Sequence, residues 1–211
     1  MNYILVVLAD IANGLLAVLA ASWLYSVDPQ WWYFLIGIAL AMSPDLDGVR
    51  ELVRRGRVSA SAEHTADHRD GLHYPVLWLV VGSVATYYLS YWGAVFLFAT
   101  LLHFLNDFYG TGWGIKLLWP LSQRNYKLLG RRANLLKSIL IEKGMWEQLS
   151  QDERKLLVIV SWSPQELPDY IHRYGLDKWI EPYYLKLNWI NVVEYSLFLI
   201  AATLTLMTLL Y

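Results

Sequence analysis

Four groups of residues in this chain carry side chains able to do metal or acid–base chemistry. Pro44-Asp45-Leu46-Asp47 ends one apolar stretch, His64, His68 and His73 precede another, His103 and Asp107 close a third, and Asp10 and Glu194 interrupt the first and the last. His103 and Asp107 stand at i, i+4, so one helix face can offer an imidazole and a carboxylate to a single ion. Asp45 and Asp47 follow Pro44 in a turn from which both can point inward. His68 and His73 bracket Arg69-Asp70-Gly71-Leu72, where Gly71 permits a tight bend. The chain has no Cys, which excludes disulfides and thiolate ligands. Imidazole and carboxylate donors suit a divalent metal, zinc first, with manganese or iron as alternatives.

Each group has a plainer reading. A single His beside an apolar run is commonly a hydrogen-bonding residue, and an Asp after Pro is commonly a helix cap. What favours a site is convergence, which depends on the elements that carry the residues. Hydrophobic residues make up 56% of the 211 and charged residues 17%, below the ~25% of an ordinary soluble domain. Eleven Trp and fifteen Tyr suit side chains at membrane–water interfaces. Five apolar stretches stand out, near Tyr3–Leu24, Trp31–Met42, Tyr74–Leu89, Trp92–Leu105 and Trp189–Leu210. The expected fold is therefore an all-α, polytopic membrane bundle with about five spans. No basic n-region precedes the first stretch, so it reads as a retained helix rather than a cleaved signal.

Charge placement sets the expected topology. All 17 Lys and Arg lie in two segments, Arg50–Arg69 and Lys116–Lys186. With five passes these two segments share a side, and the positive-inside rule makes that side cytoplasmic. The N-terminus is then cytoplasmic in a multi-pass protein of the inner (plasma) membrane. Asp45 and Asp47, His68 and His73, and His103 and Asp107 all reach that same inner depth. Ionisable groups at membrane depth are costly and commonly functional. Asp10 and Glu194 lie on the order of 10 Å inside their helices at ~1.5 Å per residue. They are open to several readings: further ligands, a proton relay, partners of Asn13, Asn106 or Asn191, or simply buried hydrogen-bonding acids with a raised pKa. His64 is a ligand, a residue behind a ligand, or exposed; His172 reads as structural.

Three regions follow: a four-span bundle with the metal site at 1–114, a cytoplasmic or membrane-surface helical segment at 115–187, and a last span at 188–211. Within the middle region, Leu128, Leu129, Leu135, Leu136, Ile139 and Leu140 recur near helical spacing, which predicts a basic amphipathic helix over Arg124–Leu149. Its Arg124, Lys127, Arg131, Arg132 and Lys137 would favour anionic lipid headgroups. Ser150-Gln-Asp-Glu153 and Ser163-Pro-Gln-Glu166 are capping-box patterns, and Gly175 suits a helix end. No strand-rich region, repeat or low-complexity tract is evident.

At its chemical residues the chain resembles the YdjM-type family of inner-membrane proteins assigned to metal-dependent hydrolysis. "MSPDLDG" is similar to that family's Leu-Pro-Asp-x-Asp block, "HRDGLHYP" to its His-Arg-Gly-x-x-His-Ser block, and "LLHFLNDFYGTGWGIKLLWPLS" to its His-x-x-x-Asp, Thr-x-x-Gly, Leu-Trp-Pro block. Together they cover roughly residues 31 to 122. The resemblance implies Asp45, Asp47, His68, His73, His103 and Asp107 as metal ligands. It also implies a helical arrangement distantly similar to zinc-dependent phospholipase C. Ser43, Asp70 and Tyr74 depart from the family pattern, and Asp10 stands where relatives often carry His.

The expected activity is metal-dependent hydrolysis of a phosphoester such as a lipid headgroup, with membrane lipid as partner. Arg69 would stabilise phosphate charge, and Asp45, Asp70 or His64 would act as general base. The other readings are a metal or proton transporter or sensor, and a structural protein whose metal staples its helices. No nucleic-acid reading motif is present, so nucleic acid is not an expected partner.

Overall fold

The computed structural model describes residues 3–55 and 71–211. The fold is mostly helical. A short turn of helix, α1 (Tyr3–Val6), leads into α2 (Leu8–Tyr25), followed by α3 (Trp31–Ala41) and α4 (Leu46–Arg55). Then come α5 (Pro75–Leu89) and α6 (Tyr91–Tyr109). Two helices, spanning Ile4–Tyr25 and Trp189–Leu210, are long and apolar enough to cross a membrane, while Trp31–Ala41 and Pro75–Leu89 are apolar but shorter. His103, Asn106 and Asp107 make the last turns of α6 polar.

The bundle packs α2 against α3, α6 and α10 (Trp189–Leu210), and α5 against α6. Small residues allow the closest crossing. A Cβ built on Gly14 would lie 2.4 Å from the Ile38 backbone, and one on Gly37 would lie 2.6 Å from the Gly14 carbonyl oxygen. Backbones come this close only where no side chain stands between them. This contact fixes α3 against α2, and with it the height at which Asp45 emerges. The far end of the bundle is closed by aromatic rings: Tyr33 lies 5.6 Å from Tyr91 and 4.9 Å from Trp92, and Trp32 stacks on Trp92 at 5.8 Å.

The middle region departs from the sequence expectation. In place of a helix over Arg124–Leu149, the chain forms a strand, β1 (Asn125–Gly130), then α7 (Lys137–Glu142) and a 3-10 turn at Trp146–Gln148. β1 pairs antiparallel with β2 (Leu157–Trp162), with Lys127 opposite Val160 and Leu128 opposite Ile159. The fold is therefore not all-α. Leu129 and Asn134 take left-handed backbone (φ +53° and +46°), which interrupts any helix through them. The β-branched run Val158-Ile159-Val160 supplies a partner strand.

The basic residues expected to face lipid are largely used inside this region. Lys127 is buried, and its Nζ donates to the Gly112 carbonyl (3.0 Å) and to Asn134 Oδ1 (2.9 Å). Arg132 pairs with Glu166 and donates to the Tyr170 hydroxyl. Arg131 donates to the Arg154 carbonyl at 2.9 Å.

The first capping box forms as the sequence implies. Ser150 Oγ accepts from Glu153 N, and the Glu153 carboxylate reaches back to Ser150 N, opening α8 (Gln151–Arg154). At the second, Ser163 Oγ accepts from Glu166 N, but α9 begins later (Leu167–Tyr174) and ends at Gly175. Burial raises the Glu153 pKa, yet hydrogen bonds from Ser150 and Tyr174 and the charge of Arg173 outweigh it and hold the carboxyl below its ordinary value. A depressed folded pKa contributes stability that is complete above the ordinary value of 4.5 and is lost as pH falls through the folded value. Thermal unfolding of this region from pH 6 to pH 3 is expected to separate wild type from Glu153→Gln at the upper end, with the gap closing in acid. A gap independent of pH would show that the charge contributes nothing.

Candidate metal centre

The site assembles from four chain segments, each placed by local chemistry. α3 ends at Ala41, and Ser43 Oγ donates to the Leu40 carbonyl at 2.6 Å. Pro44 then sits in a 3-10 turn, Ser43–Asp45, which cannot continue α3 and swings Asp45 across the end of the bundle. Asp47 falls in the first turn of α4, where a carboxylate suits the helix dipole. His73 precedes Pro75, the first residue of α5. Its loop is pinned by Trp78 Nε1, which donates to the Leu72 carbonyl at 2.6 Å. His103 and Asp107 lie one turn apart on α6, and both are buried.

The two imidazoles face each other through their ε nitrogens, His73 Nε2 to His103 Nε2 at 3.5 Å. Asp45 Oδ1 lies 3.3 Å from the first and 3.6 Å from the second. Asp107 Oδ2 lies 3.1 Å and 3.4 Å from the same two atoms. Each carboxylate thus closes a triangle on the imidazole pair. Two donors on a tetrahedral ion with bonds of about 2.0–2.2 Å stand roughly 3.3–3.6 Å apart; four of the five separations here fall in that range, and His73 Nε2 to Asp107 Oδ2 is shorter at 3.1 Å. Asp45, His73 and His103 form a group whose ligand atoms all lie within 4.8 Å of one another.

The opposite nitrogens of both rings are also engaged. His73 Nδ1 lies 3.1 Å from Asp47 Oδ2, which accepts from Leu72 N at 2.7 Å as well. His103 Nδ1 lies 2.8 Å from Asp10 Oδ1 on α2. Where a neutral ring donates its Nδ1–H to the carboxylate beside it, its Nε2 carries a lone pair. Those lone pairs point at the oxygens of Asp45 and Asp107. Four such atoms facing one another in a buried place form a set that a cation between them would satisfy. The nitrogen and oxygen donor set therefore fits a metal ion held by imidazole and carboxylate.

Of the residues singled out by sequence, Asp45, Asp47, His73, His103 and Asp107 come together. His64, His68, Arg69 and Asp70 lie outside the described residues. Asp10 is brought in as a buried hydrogen-bonding residue, one of the readings open to it, with His103 as its partner rather than an Asn. The only signal for it in the sequence is an acid at the depth of the inner-end His. Glu194 is buried on α10 against Gly110, with Asn106 and Tyr184 beside it.

A comparison with protein families adds one decisive observation: the model of the YdjM inner membrane protein family matches residues 7–165, most of the chain. The chain belongs to the YdjM inner membrane protein family. No curated protein and no solved structure matches it. Membership in this inner-membrane family accords with the two long apolar helices. The matched region contains all four segments of the site.

Gly71 gives the geometry a direct test. A Cβ at that position would lie 2.8 Å from Asp47 Cβ and 3.0 Å from its Oδ2. Gly71→Ala is expected to push Asp47 away from Leu72 N and His73, and to weaken divalent metal binding by about tenfold. Competition with a chromophoric chelator measures it, and unchanged affinity would mean that Asp47 does not hold His73 in place.

Proposed function

We propose that this protein is a membrane-embedded, metal-dependent hydrolase of a phosphoester such as a lipid headgroup, acting at the cytoplasmic face of the inner membrane. The observation that carries this reading is the convergence of His73 Nε2 and His103 Nε2 with Asp45 and Asp107 within 3.1–3.6 Å. These four residues would hold the ion. When bound, a divalent ion supplies Lewis acidity, making water more acidic and polarising a phosphoryl oxygen.

The chain's own residues divide the remaining work. The side chain of Asp45 is 40% exposed, whereas those of His73 and His103 are buried. Asp45 therefore forms the open edge by which water and substrate approach. Arg69, four residues before His73, is placed in sequence to balance phosphate charge. Asp45, Asp70 or His64 takes the proton from water.

An amphiphilic substrate is favoured by the segment after α6. Trp119 lies 4.6 Å from the ring of Tyr74, the residue after His73, and Lys116 Nζ lies 5.9 Å from that same ring. Leu118 and Leu121 in this loop are exposed. An apolar loop with a cation, beside a site at the end of membrane helices, suits acyl chains and an anionic headgroup.

The proposed arrangement has five passes, with Arg50–Arg69 and Lys116–Lys186 both cytoplasmic. A transporter or sensor is the alternative. Among the described residues, no Asp, Glu, His, Lys or Arg lies on the membrane helices between Asp10 or Glu194 and the aromatic end of the bundle, and this sealed half favours the hydrolase. The test is release of phosphate or headgroup from vesicles of mixed zwitterionic and anionic phospholipid, with and without added zinc or manganese. Metal-stimulated release is expected. Metal flux into proteoliposomes without release would favour the transporter, and metal-dependent melting with neither would leave a structural role.

A further inference from the structure

Two carboxylates in contact with the imidazoles, Asp10 and Asp47, sit behind the rings rather than among the donor atoms. We propose that Asp10 is a positioning residue: through His103 Nδ1 it fixes the ring so that Nε2 faces the ion, as Asp47 does for His73. The proposal rests on the metal reading given above and assigns to α2 a part in a site otherwise built from the loop and helix segments between α3 and α6.

Geometry separates Asp10 from a ligand. Its Oδ1 is 2.8 Å from His103 Nδ1, the ring nitrogen directed away from Asp45 and Asp107. A carboxylate at that distance accepts the Nδ1 proton and leaves Nε2 as the lone-pair atom. Histidines that bind metals generally donate their second nitrogen to such a group, which sets the tautomer, restrains ring rotation and raises ligand basicity. The two imidazoles of this site have the same arrangement by different routes. Asp47 is 26 residues from His73 and held by Leu72 N, while Asp10 is 93 residues from His103 and held by the packing of α2 on α6.

The pair also explains how buried acids are accommodated at this depth. Asp10 is buried within a helix, where a lone carboxylate would be costly. Sharing the imidazole proton gives it a hydrogen-bonded partner, and a cation held by Nε2 would help to compensate its charge.

Cobalt(II) binding to the full-length protein in detergent is the test, because cobalt reports both affinity and ligand-field geometry. Wild type is expected to bind cobalt with a defined visible spectrum. Asp10→Asn is expected to bind about 10–100-fold more weakly, with an altered spectrum but the wild-type number of ions at saturation. Wild-type affinity and spectrum in Asp10→Asn would overturn the proposal. So would complete loss of binding in folded protein, which would make Asp10 a ligand. Absence of cobalt from the wild type would remove the metal reading itself, and the positioning role with it. If Asp10→Asn does not fold, Asp10→Glu decides: it keeps the charge but moves the oxygen. A shifted spectrum at wild-type stoichiometry supports the positioning role, and an unshifted spectrum overturns it.

Discussion

His103→Ala is expected to leave the purified protein without bound metal, and His73→Ala to do the same, while Asp45→Ala retains a weakened site. Both rings occupy the middle of the donor set, each within 3.6 Å of the other ring and of two carboxylates. Either loss therefore breaks every triangle in the site. Loss of a carboxylate that merely orients a ligand costs about 10–100-fold in affinity, so loss of a central ligand should exceed about 100-fold. Asp107→Ala belongs with the two histidines, because its carboxylate is buried and shares their helix or their contact. Asp45 stands at the exposed edge, where water can replace an oxygen donor. Elemental analysis of wild type beside these variants gives the answer directly. Equal metal content in wild type and His103→Ala would remove this group of residues from any metal site.

Much of this centre was legible in the sequence because its rules are local. The i, i+4 spacing of His103 and Asp107 needs only a helix, and Pro44 ending α3 needs only the loss of an N–H. The hydropathy pattern located the long helices among the described residues, and Trp189–Leu210 matches its apolar stretch residue for residue. Several parts were not legible. Which nitrogen of His103 faces Asp10 depends on how α2 rotates against α6, and the periodicity of neither helix encodes that. The position of Asp47 behind His73 depends on Leu72 N and on the missing side chain of Gly71. Sequence adjacency to Asp45 suggested a shared role instead.

The failure over Arg124–Leu149 has a different cause. Leu128, Leu129, Leu135 and Leu136 mimic helical spacing, but the pattern carries no information about the left-handed backbone at Leu129 and Asn134. It is also silent about Lys127, whose ammonium is buried against Gly112 and Asn134. A buried lysine on an expected solvent-facing helix is the kind of tertiary contact that overrides local propensity.

Trp162→Ala is expected to unfold the region built on the β1–β2 sheet. The Trp162 side chain is fully buried at the end of β2, opposite Asn125. Its ring meets Trp113 edge-on at 5.3 Å, and its Nε1 donates to the Arg132 carbonyl at 3.1 Å. Truncating a buried Trp costs about 3–5 kcal/mol, and the orphaned carbonyl adds about 1–3 kcal/mol. Set against a typical 5–15 kcal/mol for a folded domain, that is most of the available stability. Trp162→Phe separates the contributions, since it keeps much of the packing and loses the hydrogen bond. Limited proteolysis at the Lys and Arg residues of 116–186 reads the outcome, with rapid cleavage expected in the Ala variant and slower cleavage in the Phe variant. Metal stoichiometry is expected to survive in both, because the residues of the centre lie on α2, α4, α6 and the segments flanking them rather than on the sheet. The connection runs through Trp113, four residues after the end of α6 and packed in the same core as Trp162. If metal binding fails together with protease resistance, α6 is not held by the bundle alone, and the sheet region is part of what positions His103 and Asp107.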